Sequence, residues 1–209
     1  MIAPWIVMTV LVGALLVVHK REIPGLEWLV KPAAALTFIV TGVLHGATAT
    51  SFGRVILVGL CLAALGDVLL IPKSKLSFLG GLVAFLLGHV AYAVAFVVRG
   101  IDWMAAGAAL VVFALVAAPV VRWLWPNVEG KMRGPVLAYV TVITGMVALS
   151  AGAARWDGSY LLFAGALAFY VSDLAVARNQ FVKRAFVNRA WGLPLYFFAQ
   201  MLLASQVGR

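Results

Sequence analysis

Two long apolar runs that each contain one aspartate decide the fold: residues 57–71, LVGLCLAALGDVLLI, and residues 160–177, YLLFAGALAFYVSDLAVA. The other five acidic residues lie in polar connecting segments. A charged side chain in hydrocarbon costs at least about 2.5 kcal/mol, so an ionisable residue inside a membrane segment indicates a functional site. Asp67 and Asp173 each follow a small residue near the end of their run. We therefore predict one site made by two membrane helices.

The composition is that of a membrane protein. The chain has 209 residues, of which 65% are hydrophobic and 11% are charged, whereas soluble domains carry about 25% charged residues. Apolar runs long enough to span a bilayer, about 17–25 residues, predict eight transmembrane helices at residues 2–18, 31–49, 55–71, 78–98, 103–121, 135–153, 159–177 and 189–207. Because the connections are short, we expect an all-α polytopic bundle that forms a single integral membrane domain over residues 1–209.

The basic residues predict the orientation of the bundle. Eight spans put both termini on the same side, and twelve of the 16 Lys and Arg residues lie in the first, third, fifth and seventh connections. These twelve are Lys20, Arg21, Lys31, Lys73, Lys75, Arg122, Lys131, Arg133, Arg178, Lys183, Arg184 and Arg189. Since cytoplasmic loops are enriched in basic residues, these connections are predicted to be cytoplasmic and both termini to be outside.

The charge and the termini suggest the kind of membrane and of partner. The formal net charge of +9 fits basic loops against anionic membrane lipids, and we expect no nucleic acid partner. The N-terminus lacks the basic segment and cleavage site of a signal peptide, so the first run is predicted to remain as a helix. Cys61 is the single cysteine and provides neither a disulfide nor a cysteine metal site. We expect a multi-pass protein of a bacterial inner membrane.

A weak internal repeat relates the two halves of the chain. Lys31-Pro32 and Gly134-Pro135 open spans two and six, and the two aspartates close spans three and seven. Tyr92 and Tyr196 follow the aspartates at similar distances. Two four-helix halves in parallel orientation, as in some transporters, would explain this pattern. Chance similarity between apolar helices is the alternative.

The two aspartates are predicted to lie at equal depth. Asp67 is five residues before Pro72 and Asp173 five before Arg178, which places both about 7–8 Å below the cytoplasmic boundary. If the carboxyl groups meet, we expect one to hold a proton and the other to be charged, which gives an acid beside a base. Alternatively, each aspartate bonds a neighbouring helix or caps a frayed end.

Two tyrosines are predicted to reach the same layer, and one of them shares a face of its helix with a glutamine. Tyr139 and Tyr196 lie about 9–10 Å deep in spans six and eight. Tyr196 and Gln200 share a stripe with Asn188 and Gly192 because residues four apart face the same way on a helix. Tyrosines also pack in membrane helices without any functional role, so both interpretations remain open.

His89 and Tyr92 share one face of span four. His89 is predicted to lie about 18 Å from the cytoplasmic end, near the midplane. A structural histidine would be neutral and hydrogen-bonded, whereas a functional one would face the carboxyl groups. His89 with Asp67 and Asp173 supplies metal-ligand types, but their spacing matches no metal motif, and we predict no metal.

Lys31 and Arg189 are candidates to bind a lipid phosphate. Each begins a span at the cytoplasmic headgroup level, where either side chain can pair with phosphate oxygens. The alternative is that both are ordinary positive anchors of the cytoplasmic side.

Several stretches together resemble the YhhN-like family. They are Lys31–Ala33, Leu65–Leu70, Phe78–Tyr92, Gly165–Asp173 and Leu193–Gln200, with sequences KPA, LGDVLL, FLGGLVAFLLGHVAY, GALAFYVSD and LPLYFFAQ. Each is short and apolar, and their order and spacing over nearly the whole chain carry the resemblance. It implies an eight-helix membrane hydrolase of the lysoplasmalogenase type, which releases a fatty aldehyde from the vinyl ether of an alkenyl lysophospholipid.

The implied chemistry suits the candidate residues. Vinyl-ether hydrolysis needs an acid to protonate the alkenyl carbon and a carboxylate to stabilise the cation and activate water, so we expect no cofactor. Asp67 and Asp173 are the predicted catalytic residues. A proton-coupled carrier that uses the same aspartates and a non-catalytic lipid-binding protein remain the alternatives.

Overall fold

The computed structural model describes residues 2–72 and 74–208, so Lys73 and Arg209, which were counted among the basic residues, lie outside it. Its described residues contain eight α-helices and no strands. The helices are α1 (Ala3–Arg21), α2 (Glu27–Leu44), α3 (Ser51–Leu69), α4 (Lys75–Arg99), α5 (Trp103–Leu124), α6 (Gly130–Asp157), α7 (Tyr160–Ala177) and α8 (Phe186–Ser205). The predicted all-α fold is confirmed.

Seven helices within the described part, α1 to α7, are long and apolar enough to cross a membrane. The eighth, α8, carries Asn188, Arg189 and Gln200. It packs against α7, α2 and α1, and ten of its 20 residues are buried. Because Asn188 and Gln200 are buried within the protein, α8 keeps two of its polar groups away from lipid. The chain is therefore a polytopic membrane bundle in which α8 packs two of its polar side chains against neighbouring helices.

Two helix boundaries differ from the prediction in ways that affect the site. α2 begins at Glu27, so Lys31 and Pro32 lie inside the helix instead of opening it. After Ala177 the chain continues through a π-helical turn at Arg178–Val182. This turn extends the helical segment that carries Asp173 beyond its predicted end at residue 177.

Side chains and glycines at the helix ends account for the short connections. Thr50, Ser74 and Asp102 precede α3, α4 and α5, and each accepts a hydrogen bond from a first-turn backbone N–H, 2.9–3.0 Å away. Such caps satisfy donors that the helix itself leaves free. Gly158 ends α6 in the left-handed conformation, at φ 77°, which glycine adopts without steric cost.

Glycines bring α3 and α4 into close contact. A Cβ atom on Gly59 would lie 2.3 Å from the ring of Tyr92, and one on Gly66 would lie 2.7 Å from the ring of Phe85. Small residues let membrane helices approach closely. This contact fixes the aromatic face of α4 beside the end of α3 that carries Asp67.

The pattern of helix contacts repeats in the two halves of the bundle. α1 packs on α2, α2 on α3 and α3 on α4; likewise α5 packs on α6, α6 on α7 and α7 on α8. The contact between α4 and α6 has its counterpart in the contact between α8 and α2. Pro32 and Pro135 are each the sixth residue of their helix, α2 and α6. These correspondences are those expected of two four-helix repeats.

Candidate active site

The carboxyl group of Asp67 is buried between α2 and α8. Asp67 is 2% exposed and Lys31 is 6% exposed. The Lys31 ammonium lies 3.3 Å from Oδ1 of Asp67 and also donates a 2.9 Å hydrogen bond to the Asp67 backbone carbonyl. The Tyr196 hydroxyl donates to Oδ2 at 2.7 Å. Both carboxyl oxygens therefore have a positively charged or hydrogen-bonding neighbour.

The carboxyl group of Asp173 has a different pair of neighbours, from α6 and α4. The Tyr139 hydroxyl donates to its Oδ2 at 2.6 Å, and Nε2 of His89 lies 3.5 Å from the same oxygen. The side chain of Asp173 is 16% exposed, more than that of Asp67. Within the described residues, no hydrogen bond reaches its Oδ1.

The orientation of the His89 ring is set by its own helix. Nδ1 lies 2.6 Å from the backbone carbonyl of Phe85, which can only accept, so Nδ1 carries a hydrogen. Nε2 then faces Asp173 and forms no hydrogen bond within the described part of the chain. A buried nitrogen of this kind can exchange a proton with the neighbouring carboxyl group.

The predicted separation in depth between His89 and Asp173 is wrong. The sequence suggested a difference of about 10 Å along the membrane normal, but the two side chains are in contact. The reason lies at the helix ends. The segment after Asp173 stays helical to Val182, so Asp173 lies farther from the end of its helical segment than predicted. The rings of Phe78 and Phe181, 5.9 Å apart, bring the start of α4 level with this extension.

Tyr92 and Gln200 form a third polar contact, between α4 and α8. The Tyr92 hydroxyl donates to Oε1 of Gln200 at 2.6 Å, and both side chains are fully buried. Nε2 of Gln200 is also buried and has no hydrogen-bond partner among the described residues. The repeat in the sequence paired Tyr92 with Tyr196, but only Tyr196 contacts an aspartate. Because His89 contacts Asp173 as Tyr196 contacts Asp67, His89 is the counterpart of Tyr196.

The ring of Phe169 lies between the side chains that surround Asp67 and those that surround Asp173. Its ring centroid lies 4.3 Å from that of His89 and 5.4 Å from that of Tyr196. Sequence reasoning missed this residue, although it precedes Asp173 by four positions and so shares its face of α7. The two carboxyl groups make no direct hydrogen bond with each other within the described residues. A carboxyl pair joined through one water remains a prediction.

Each aspartate is contacted from both halves of the bundle. Asp67 lies in the first half and receives Tyr196 from the second. Asp173 lies in the second half and receives His89 from the first. The site is therefore completed only where the two halves meet.

The two predicted phosphate ligands occupy different environments. Lys31 is buried and paired with Asp67, so the expectation that it lies free at headgroup level is wrong; its long side chain reaches inward from the second turn of α2. Arg189, at the start of α8, contacts the imidazole of His19, whose Nε2 lies 3.5 Å from Glu27. Arg189 thus stays near the end of the bundle. Among the described residues, no three His, Cys, Asp or Glu side chains converge as metal ligands.

The similarity of this chain to known proteins covers the residues of the candidate site. Residues 26–207 match the YhhN family. The chain belongs to the YhhN family. Its matched region includes every candidate site residue from Lys31 to Gln200, so the resemblance expected from the short motifs is confirmed.

Two curated relatives carry the same name. Lysoplasmalogenase TMEM86A of Bos taurus is 32% identical over 183 residues, which cover 85% of this YhhN-family chain and 71% of the relative. Lysoplasmalogenase TMEM86A of Homo sapiens is 35% identical over 155 residues, which cover 71% of this chain and 63% of the relative. No solved structure shows significant similarity to the chain.

Proposed function

We propose that this protein is a membrane hydrolase that cleaves the vinyl-ether bond of lysoplasmalogens, releasing a fatty aldehyde and a glycerophospho-base. Support for the substrate comes from the two relatives named lysoplasmalogenase. The observation that carries the chemistry is the presence of two membrane-embedded carboxyl groups, each contacted by hydrogen-bonding side chains, on either side of Phe169.

The reaction needs one proton donor and one proton acceptor. A carboxylic acid protonates the β-carbon of the vinyl ether, and the oxygen lone pair forms an oxocarbenium ion. Water adds to this cation and gives up a proton to a carboxylate. The resulting hemiacetal then loses its hydroxyl proton as its bond to the glycerol oxygen breaks, and the glycerol oxygen takes up a proton and leaves as the alcohol. General acid–base catalysis of this kind contributes about 10²–10⁴ to the rate.

Asp173 is the better placed of the two to donate the first proton. Its side chain is the more exposed, and Oδ1 has no hydrogen bond within the described residues, so one oxygen remains to meet a substrate. His89 and Tyr139 hold the other oxygen. After each turnover the proton that Asp67 took from water must return to Asp173, and His89 Nε2, which carries no hydrogen in this tautomer, is positioned to accept a proton and pass it to Asp173.

Asp67 is suited to the second role, in which a negative group stabilises the cation and accepts a proton from water. The Lys31 ammonium, 3.3 Å away, offsets the cost of burying a negative charge. Tyr196 holds the second oxygen of Asp67. This pairing fixes the carboxylate in place between the helices.

The substrate headgroup is proposed to bind at the end of the bundle where α8 begins. Arg189 remains near that end beside His19, and its guanidinium can form two parallel hydrogen bonds with a phosphate. The vinyl ether of a lysolipid lies just below its glycerol, at the level at which the carboxyl groups are buried. Lys31, which is paired with Asp67, is assigned no contact with the phosphate.

A comparison of three lysolipids tests the activity. Purified protein in detergent is incubated with an alkenyl, an alkyl and an acyl lysophospholipid, and aldehyde and fatty acid are measured. Aldehyde from the alkenyl lipid alone supports the proposal. Aldehyde from none of the three would overturn it, and in that case lipid-dependent proton uptake by proteoliposomes would favour a proton-coupled carrier.

We also propose that the site opens towards the cytoplasmic leaflet and that both termini lie outside, in a bacterial inner membrane. The distribution of the basic residues supports this orientation. A C-terminal fluorescent fusion that matures only in the cytoplasm should stay dark, whereas the same protein joined after Ser74, in the third connection, should fluoresce. Bright fluorescence of the C-terminal fusion would reverse the orientation.

A further inference from the structure

A groove between α5 and α6 lies away from the carboxyl groups. Its volume is about 620 Å³, within the range of about 300–1,000 Å³ typical of sites for small molecules. The α5 side contributes one face of the helix, on which three small side chains leave the space open: Ala114, Ala117 and Ala118. α5 is weakly packed, with three of its 22 residues buried.

The groove is separate from the proposed active site. On α6 its lining residues are Leu137, Val140, Thr141 and Thr144, which share one face at helical spacing. Tyr139, which contacts Asp173, lies between them in sequence and therefore points to the opposite face. α6 thus separates the groove from the carboxyl groups, and the groove needs its own explanation.

Basic and aromatic side chains lie at one end of this otherwise apolar groove. Arg122 lines it and has no hydrogen bond or ion pair within the part of the chain that the structure describes. Trp125 also lines it, and the guanidinium of Arg133 stacks on the Trp125 ring, 4.8 Å from its centre. Tryptophan and arginine are typical of the headgroup level of a membrane.

The length of the groove matches one leaflet. From Leu110 to Arg122 the lining face of α5 extends over 12 residues, about 18 Å, compared with about 15 Å for half of the hydrocarbon core. A lipid whose extended fatty chain lies in the groove would place its headgroup beside Arg122. Basic pockets between membrane helices bind the headgroups of anionic lipids.

We propose that this groove binds one acyl chain of an anionic glycerophospholipid, with the lipid phosphate against the Arg122 guanidinium. The lipid fills the space left by the alanines of α5, and Arg133 adds a second positive charge near the headgroup. The bound lipid serves as a structural partner of the loosely packed α5, independently of the hydrolysed substrate.

Filling the groove tests the chain-binding part. Ala118→Trp places a large side chain in the groove, whereas Ala108→Trp makes the same change at an exposed position of α5 outside it. Both variants are purified in detergent and titrated with phosphatidylglycerol, and bound lipid is counted by native mass spectrometry. We expect one tightly bound lipid in the unmodified protein and in Ala108→Trp, and its loss in Ala118→Trp.

A change of charge tests the headgroup part and does not depend on tolerance of the tryptophan. Arg122→Gln should weaken phosphatidylglycerol binding about fivefold, the usual effect of one basic residue near an anionic surface. Arg155→Gln, an exposed arginine of α6 at the other end of the bundle, should leave binding unchanged. A phosphatidylglycerol with a photoreactive chain should label residues 137–144.

Three outcomes would overturn the proposal. The first is equal lipid binding by Ala118→Trp and the unmodified protein. The second is that the unmodified protein binds phosphatidylglycerol no more tightly than phosphatidylcholine, and that Arg122→Gln does not change either affinity. The third is a dimer that Ala118→Trp converts to a monomer, because the groove would then belong to an interface with a second copy. None of these readouts uses hydrolysis, so the proposed activity stands or falls separately.

Discussion

The two aspartates occupy corresponding helices of the two halves, yet their surroundings differ. Asp67 has an ammonium and a phenol on its two oxygens and is almost fully buried. Asp173 has a phenol and an imidazole near one oxygen, and its side chain is partly exposed. The same backbone arrangement thus holds one carboxyl group firmly beside a cation and leaves the other accessible beside a group that can carry a proton. This difference is what a division into base and acid requires.

Replacement of the carboxyl groups should have the largest effect. Asp173→Asn keeps the shape of the side chain but removes its proton, so turnover should fall by about 100-fold or more. Asp67→Asn should lower turnover as strongly. Aldehyde release by the purified variants measures both, and unmodified turnover should slow in heavy water because proton transfer to carbon limits the rate.

Asp102→Asn is the matched control for these changes. Asp102 caps α5 through its side chain, and asparagine caps a helix about equally well. Turnover should therefore stay near that of the unmodified protein. Near-normal turnover in folded Asp67→Asn and Asp173→Asn would mean that both aspartates are structural.

The buried cation should make the Asp67 cluster more important for stability. Lys31→Met leaves the Asp67 charge without its partner, and breaking a buried ion pair in this way costs about 3–5 kcal/mol. The thermal unfolding midpoint in detergent should fall, and adding Asp67→Asn to Lys31→Met should recover part of the loss. Asp173→Asn, by contrast, should unfold close to the unmodified protein. An equal loss of stability in Lys31→Met and Asp173→Asn would contradict the prediction that the surroundings of Asp67 contribute more to stability than those of Asp173.

The two phenols provide a smaller test of the same difference. Tyr139→Phe removes the hydrogen bond to the proposed acid, which becomes charged as it gives up its proton; a hydrogen bond to a charged group contributes about 1.5–3 kcal/mol, so turnover should fall at least tenfold. Tyr196→Phe should have a smaller effect, because Lys31 still holds Asp67. Tyr160→Phe, at an exposed position, serves as the control. A larger effect for Tyr196→Phe would exchange the assignment of acid and base.

The smallest effect is expected from the hydrogen bond between Tyr92 and Gln200, which joins α4 to α8. Tyr92→Phe leaves a buried amide oxygen of Gln200 unpaired, at a cost of about 1–3 kcal/mol. Gln200→Met should cost about as much because it leaves the Tyr92 hydroxyl unpaired. The double variant should unfold at a higher temperature than the sum of the two losses predicts. Simple additivity would show that this hydrogen bond does not couple α4 to α8.

Much of the fold was predictable because lipid imposes strong rules on sequence. Runs of apolar residues predicted all eight helices that the structure describes. Asp67 and Asp173 became the candidate site residues because they are the two acidic residues inside such runs. The sequence could not predict their partners. Lys31 looked like a headgroup ligand because a side chain's reach is invisible in the sequence, and α2 begins four residues earlier than its apolar run.

Contacts between distant segments were the least predictable part of the site. The repeat in spacing favoured Tyr92 as the counterpart of Tyr196, whereas the contact belongs to His89, one turn earlier on α4. Depth estimates along single helices failed for His89 and Asp173 because the helical segment that carries Asp173 continues into a π turn. Such ends depend on packing against other helices, which no local pattern encodes.

The partners of the two aspartates also differ in when they are synthesised. His89 and Tyr139 both precede Asp173 in the chain, so the partners of Asp173 already exist when α7 enters the membrane. Tyr196 follows Asp67 by 129 positions, whereas Lys31 precedes it by 36. During N-to-C synthesis, Lys31 is therefore, among the described residues, the contact that can neutralise Asp67 until the last helix arrives. The lysine of α2 thus allows the nascent first half to hold a buried acid while the second half is still being made.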